Sequence, residues 1–371
     1  MKKRVMGLGA AISCVVMSVQ AQGISPALLQ EAKASVNKGL AWLKTQQKPS
    51  GAWSDEGMPA LTALPLWAVA ASGVKTYAPE SDKAVSFLLS KQQPDGGIYV
   101  PVLNRKGGGL GNYNTSIGVM ALQASGKQTA VPAILKARSY IAASQYLGDD
   151  SHAGGFGYDK ETQRAYSDLN NTHYSMDAMR RTQSVEDLRP AGEKKADINW
   201  DAALKYVEQM QNQEGETVGG FAYNTEDPKG GAVTNVSGRV MLRAYGSMTY
   251  AGLLAMTHAH LEKSDPRVRS AVDFGSRFWT LEENPGQGQQ GLYFYFNVMA
   301  RALSAAGLDA LRKPGSAEEI RWREEVVKKI VALQKPDGSW VNENNRWWEN
   351  DPVLASSYAL LALEFASGLT R

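Results

Sequence analysis

Cysteine is all but missing. The 371 residues hold one, Cys14, and it lies close to the N-terminus. The rest of the chain can therefore form no disulfide, no thiolate nucleophile and no Cys-type zinc site. Histidine is nearly as scarce, with 4. His258 and His260 are two apart, which points their rings away from each other on a helix, so they make a weak metal pair. Neither sign of charge dominates: 40 Lys and Arg face 37 Asp and Glu, a formal net charge of +3. There is no basic run with interleaved aromatics, which argues against a nucleic-acid partner. No Pro- or Ser-rich linker divides the chain, and past the N-terminus no apolar run is long enough to span a bilayer.

What is present begins with a leader. Lys2, Lys3 and Arg4 form a positive end, residues 5–19 are mostly apolar, and Val19-Gln20-Ala21 is a small-residue cleavage site. This predicts a signal peptide over 1–21, a mature chain from Gln22, and export to the periplasm or beyond. "AISC" around Cys14 is a poor lipobox, which argues against lipidation. Residues 22–371 are then expected to form a single domain, and a 43% hydrophobic content is ample for its core.

A short pattern recurs through that domain: glycine, one residue, then an aromatic. It occurs as Gly51-Ala52-Trp53, Gly97-Ile98-Tyr99, Gly291-Leu292-Tyr293 and Gly338-Ser339-Trp340. Gly155-Phe156-Gly157-Tyr158 and Gly220-Phe221-Ala222-Tyr223 are variants. Several copies follow an amphipathic stretch ending in glutamine, such as "VNKGLAWLKTQQ" and "EEVVKKIVALQ", whose helical spacing predicts half-exposed helices. After each copy comes a segment of small and apolar residues, such as "LTALPLWAVAASG", which predicts a helix buried on most sides. Aligning these second segments superposes Thr62, Thr115, Thr172, Thr249, Phe296 and Ser356, a repeat of about 59 residues. Ser and Thr suit helix N-caps, and these are expected to begin the second helices.

Six helical hairpins with exposed first helices and buried second helices close naturally into an all-α ring, an (α/α)6 toroid. A linear solenoid would want polar caps on its end repeats. The last repeat instead ends on the apolar "YALLALEFA".

Gln47-x3-Gly51-x-Trp53 and Gln334-x3-Gly338-x-Trp340 resemble the QW repeats of terpenoid cyclases of the squalene–hopene type. Gln93-x3-Gly97-x-Tyr99 is a third with Tyr for Trp. The wider class includes the β-subunits of protein prenyltransferases. "YGSMTYAGL", "GQQGLYFYF" and "RWWENDPVL" also resemble secreted proteins described as prenyltransferase and squalene oxidase repeat proteins. The resemblance implies the toroid and says less about activity. Hopene-type cyclases carry an Asp-x-Asp-Asp-Thr run whose middle acid protonates an alkene. Asp168-Leu169-Asn170-Asn171-Thr172 resembles it, with Asn170 in the place of the proton donor. A carboxamide cannot protonate an alkene, so the match implies the fold and argues against protonation-initiated cyclisation. The prenyltransferase zinc needs a cysteine that the mature chain lacks. No cofactor and no metal is expected.

Asp168 and Asn170 also fit a plain helix start, where their side chains satisfy free N–H groups. The helix that follows is unusually polar. Asn170, His173, Tyr174 and Asp177 share one face at spacings of three and four, and Asp177 is placed to orient the His173 imidazole. This face is either a binding or catalytic wall or a satisfied buried network. Near the starts of the other inner helices stand Tyr113, Tyr250, Tyr293, Tyr295 and Tyr358, and the last loop carries Arg346, Trp347 and Trp348. A toroid gathers all of these at one mouth, where they would line a pocket for a lipid, stack on sugar rings, or simply fill the barrel. Six helix N-termini there would favour an anionic group. The glycine clusters at 107–109 and 285–288 lack the strand-then-helix setting of a nucleotide loop and are expected at a rim.

Three readings follow. The first is an exported, monomeric toroid binding an isoprenoid-like or other small ligand without the cyclase acid. The second is an enzyme resembling polysaccharide lyases and acting on acidic glycans. Asn170, Asn171, His173, Tyr174 and Arg346 would serve it. The third is a scaffold with a filled core. An open lumen and the nature of its wall separate them.

Overall fold

The computed structural model describes residues 23–102, 109–159, 166–227, 229–234 and 240–370. The predicted leader, Cys14, Gly107 and Gly108 lie outside them. Among the described residues the helices run α1 (Pro26–Gln46), α2 (Ala60–Ser72), α3 (Ala78–Ser90), α4 (Gly111–Ala124), α5 (Val131–Ala143), α6 (Leu169–Arg181), α7 (Trp200–Gln209), α8 (Gly246–His258), α9 (Pro266–Arg277), α10 (Leu292–Ala305), α11 (Trp322–Ala332) and α12 (Pro352–Ser367). Two small antiparallel hairpins, β1 (Ala232–Thr234) with β2 (Val240–Leu242) and β3 (Leu311–Arg312) with β4 (Glu319–Ile320), decorate them. No described helix is long and apolar enough to cross a membrane.

The even-numbered helices form the inner layer. α2 has no charged residue and is buried almost throughout. The odd-numbered helices show one face: α9 buries Val268, Ala271, Phe274 and Gly275, spaced by three, three and one, and leaves its charges outside. Each inner helix packs on the next, and α12 packs back on α2, while α1 lies against α11 and α12. The ring is closed, and the chain is an (α/α)6 toroid.

A three-part joint holds each repeat to the next. A glutamine at the end of the outer helix donates Nε2 to a glycine carbonyl in its own turn and to a carbonyl near the start of the next outer helix. Gln47 reaches Gly51 O (3.0 Å) and Glu80 O (2.9 Å), and Gln92 reaches Gly96 O (3.0 Å) and Ala133 O (2.9 Å). Gln145 and Gln211 repeat the arrangement, and Gln334 does so across the closing seam, onto Ser35 O midway along α1 at 3.0 Å. The glycine sits at positive φ against that next helix: a Cβ on Gly51 would lie 2.4 Å from Lys83 O, and one on Gly154 2.0 Å from Ala202 O. Two residues on, a buried apolar side chain packs inward and its backbone N–H meets the recurring hydroxyl. Trp53 N donates to Thr62 (3.1 Å), Ile98 N to Thr115 (2.8 Å), Phe156 N to Thr172 (3.1 Å), Phe221 N to Thr249 (3.1 Å) and Trp340 N to Ser356 (2.9 Å).

This joint corrects three expectations. The aligned Thr and Ser are not N-caps; they sit inside the first turns and tie the inner helix to the turn beside it. The second repeat is Gln92–Gly96–Ile98, one residue earlier than Gln93–Gly97–Tyr99. Gly96 holds the positive φ of 93°, and Gln93 instead donates to Lys91 O and Tyr99 O. Gly291-Leu292-Tyr293 is not the turn at all but the start of α10, with Gly291 as its left-handed N-cap. The fifth repeat lacks this joint, and Phe296 stands where the hydroxyl would be. Gly-x-aromatic is too short a pattern to distinguish a turn from a helix start.

Candidate functional site

The inner helices begin at one mouth, and their free N–H groups are capped there. Asp168 caps α6, accepting from Asn171 N and Asn171 Nδ2, both at 2.8 Å. Asn114 accepts from Ala60 N of α2 (2.8 Å), and Asn284 from Ser247 N of α8 (2.9 Å). Glu349 accepts from Phe294 N (2.7 Å) and Tyr293 N (3.2 Å) of α10, and Asp351 caps α12. Most of these caps come from a neighbouring repeat, so capping also stitches the ring. It occupies the helix ends that were expected to attract an anion. Burial pushes Asp168 and Glu349 above the usual carboxylate range, while the N–H groups they accept pull them back.

Inside this mouth lies a cavity of about 720 Å³. All six repeats reach it, from Met58 before α2 to Tyr358 on α12. Its wall is mainly aromatic. Tyr113 stands edge-on to Tyr174 (centroids 5.6 Å apart), and Phe294 lies 6.3 Å from Tyr174 and 5.8 Å from Tyr358. The hydroxyls of Tyr158 and Tyr223 are 2.9 Å apart. Burial raises the pKa of every lining tyrosine, so each phenol stays protonated at neutral pH. Asn170, Gln290, Asn345 and Asn350 add amides.

At the rim, Trp347 and Trp348 are 43% and 50% exposed, and both hold positive φ, 60° and 64°. Left-handed backbone costs a non-glycine residue roughly 1–2 kcal/mol, so two in succession need an anchor. Glu349 supplies it: buried under α10, with its carbonyl accepting from Asn342 N at 3.0 Å, it fixes the loop and turns both indoles outward. Arg346 lies 4.5 Å from the Trp347 ring. Lys229 lies 3.2 Å from the Tyr223 ring and 4.9 Å from that of Trp347. Glu349, held as a cap, is the one carboxyl among the described lining residues and Arg346 the one cation; Lys229, beside them, lies 3.8 Å from Asp227.

The expected residues divide. Asn170, Tyr174, Tyr113, Tyr358, Arg346, Trp347 and Trp348 line the cavity. Asp168 and Asn171 are buried in the cap of α6. Tyr250, Tyr293 and Tyr295 are packed in the wall: the first and last lie 5.8 Å apart, Tyr295 donates to Thr280 O, and Tyr293 stands edge-on to Phe296. The His173–Asp177 pair does not form. His173 Nδ1 turns to Leu169 O (3.3 Å), and burial then Arg301 hold its pKa well below the ordinary value. Asp177 instead binds Arg301 and Arg181 (2.7 Å) and lies 2.8 Å from His258 Nε2, so its oxygens are taken by groups that come from its own next turn and from other helices. Pro285 to Gly288 does reach the rim through Gln287, which lines the cavity.

Sequence reasoning missed Tyr158, Tyr223, Tyr245, Phe294 and Lys229. The first two had a signal. In Gly-Phe-Gly-Tyr and Gly-Phe-Ala-Tyr the phenylalanines form isolated β-bridges, where residues two apart can be turned to different surroundings. Phe156 and Phe221 fill the joint while Tyr158 and Tyr223 enter the cavity.

Fold and mouth together define an α/α toroid with a ligand-sized lumen. No protein-family model matches the chain, and no curated protein matches its sequence. Solved structures share its fold. The type II terpene cyclase MstE from Scytonema superposes with a TM-score of 0.56 at 12% identity, over 92% of this chain and 99% of that one. The GH76A α-1,6-mannanase of Salegentibacter sp. HEL1_6 superposes with a TM-score of 0.58 at 10% identity, over the same shares. An inactive variant of that mannanase, in complex with α-1,6-mannotriose, gives 0.60 at 10% over 92% and 99%. At such identities the likeness concerns the fold.

Proposed function

We propose that this chain is an exported toroid, diverged from the terpenoid cyclase and prenyltransferase class, that binds an acidic oligosaccharide at its mouth. The observation that carries this reading is the rim: two half-exposed indoles held out by strained backbone, flanked by Arg346 and Lys229, over a wall of phenols and amides. Strain persists where the surrounding structure enforces it, and it clusters at ligand sites. Flat aromatic faces stack on sugar rings, amides and phenols meet hydroxyls, and the two cations suit carboxylates. An inactive variant of the mannanase, similar in fold, is in complex with α-1,6-mannotriose.

Catalysis has weaker support. A cyclase needs an acid facing the substrate; in the run that resembles the cyclase motif the donor position carries Asn170, and Asn170 lines the cavity. A lyase needs a base, and the lining tyrosines are shifted away from that role. Binding without turnover fits both observations.

The test is titration calorimetry with trigalacturonate, with its methyl ester, and with geranylgeraniol. The acid form should bind, its methyl ester should bind less, and added salt should weaken the acid form. Trp348→Ala should weaken binding about tenfold or more, which is about 1.4 kcal/mol. Binding of geranylgeraniol alone would replace this reading with an isoprenoid site. Any unsaturated uronate or cyclised polyprene among the products would make the protein an enzyme.

A further inference from the structure

Beneath the cavity floor lies a second layer of polar groups that the mouth does not use. Phe294, Asn297 and Arg301 share one face of α10 at spacings of three and four. Phe294 lines the cavity, so this face descends from it, and Arg301 lies about 10 Å further along the helix. Across the lumen, α6 brings His173, Tyr174 and Asp177: the His173 and Phe294 rings are 6.2 Å apart, and Arg301 Cζ is 5.7 Å from the Tyr174 ring.

Arg301 is fully buried; its Cζ lies 4.8 Å from the Trp67 ring, and Asp177 is its one anionic partner among the described residues. Nη2 binds Asp177, whose carboxylate also serves Arg181, while Nε and Nη1 have no partner. Both amide atoms of Asn297 and His173 Nε2 are likewise buried and unpartnered, while the Tyr174 hydroxyl is within reach of Arg301 and Tyr358. The same chain shows what a purely structural buried arginine looks like. Arg138 gives Nε to Glu186 (2.6 Å), Nη1 to Met179 O and Thr182, and Nη2 to Ala196 O. A buried cation with free donors, in a layer where two guanidiniums share one carboxylate, lacks an anion.

The remaining groups say what sort. Arg301, the Asn297 amide and the Tyr174 hydroxyl all donate. His173 Nδ1 faces a carbonyl, so it carries the proton and Nε2 is an acceptor. We propose that this layer is an anion subsite in which Arg301, Asn297 and Tyr174 take a carboxylate while His173 Nε2 accepts from a hydroxyl beside it, the pairing found in a uronic acid. Tyr174 belongs to both the cavity wall and this layer. The assignment rests on the acidic-saccharide reading and gives the ligand's terminal residue a place.

The experiment follows thermal unfolding with D-glucuronate or D-glucose at fixed ionic strength, and separately measures trigalacturonate binding. Glucuronate should raise the Tm of the parent and glucose should not. Arg301→Met should abolish that rise and leave the ligand-free Tm unchanged or higher, because Asp177 keeps Arg181. Asn297→Leu, which replaces one unpartnered amide with an apolar side chain, should weaken glucuronate at least tenfold on an unperturbed fold. A rise that survives in both variants, or none in the parent, overturns the subsite. If trigalacturonate binding depends on Trp348 but not on Arg301, the subsite is wrong and the saccharide reading stands. If glucuronate depends on Arg301 while trigalacturonate does not bind, the subsite stands and the saccharide reading falls.

Discussion

Glu364 shows how much a single side chain can hide. It reads in the sequence as one charge in an apolar helix, "YALLALEFA". In the structure it is fully buried and neither carboxylate oxygen has a partner. Burial holds its pKa well above the ordinary 4.5, which favours the neutral acid in the folded state. Below pH 4.5 both states are protonated and the group costs nothing. As pH rises past 4.5 the unfolded chain ionises first, and stability falls by about 1.4 kcal/mol per pH unit until the folded acid also ionises. Glu364→Gln should therefore match the parent's stability trend below pH 4.5 and gain on it at that slope above. Urea unfolding at several pH values measures the gap, and a gap that stays constant with pH would place a cation beside Glu364. The residues of the mouth were partly legible. Trp347, Trp348, Arg346 and Tyr358 announce themselves as aromatics and charge near helix starts, whereas Asp177 and His173 misled, because helix spacing fixes who shares a face but not which partner arrives from across the lumen.

The joint between repeats was legible in kind and blurred in register. Five glutamines and five glycines follow one rule in the structure, yet consecutive glutamines at 92–93 and consecutive glycines at 96–97 allow two alignments on paper. Only the carbonyl of the next helix decides between them, and it is 40 residues or so away in sequence. The glycines carry two separate demands. Gly126 has a φ of +65°, and a Cβ there would have nothing within 4 Å, so alanine meets only backbone strain. Gly154 has a φ of +90° and would also drive a methyl group to 2.0 Å from Ala202 O. Gly126→Ala should cost about 1 kcal/mol, the left-handed penalty alone. Gly154→Ala should cost at least about 2 kcal/mol more, since α7 must move away from the turn. Denaturant midpoints for the two variants check this, and equal costs would mean that the joint yields without resistance.

Closure of the ring makes the first and last repeats ordinary. In an open array, end repeats have one neighbour, and a contact there stabilises only a fraying terminus. Here α1 lies between α12 and α11, and the seam carries the same joint as any interior boundary. Gln334 donates to Gly338 O and Ser35 O, and a Cβ on Gly338 would lie 2.6 Å from Lys38 O. Trp340 packs so closely on α1 that a Cβ on Gly39 would sit 2.8 Å from its ring. The cavity itself spans the seam, because Tyr113 of the second repeat and Tyr358 of the sixth place their hydroxyls 3.4 Å apart. Removing a glutamine at any joint leaves buried carbonyls without donors, a cost of about 1–3 kcal/mol. Gln334→Ala at the seam and Gln145→Ala in the interior should therefore lower global stability by similar amounts, each in a single cooperative transition. Amides of α1 should also exchange hydrogen as slowly as those of α5. If Gln334→Ala were silent in global unfolding while α1 exchanged early, the seam would be a loose contact between chain ends, and the mouth would open and close with it.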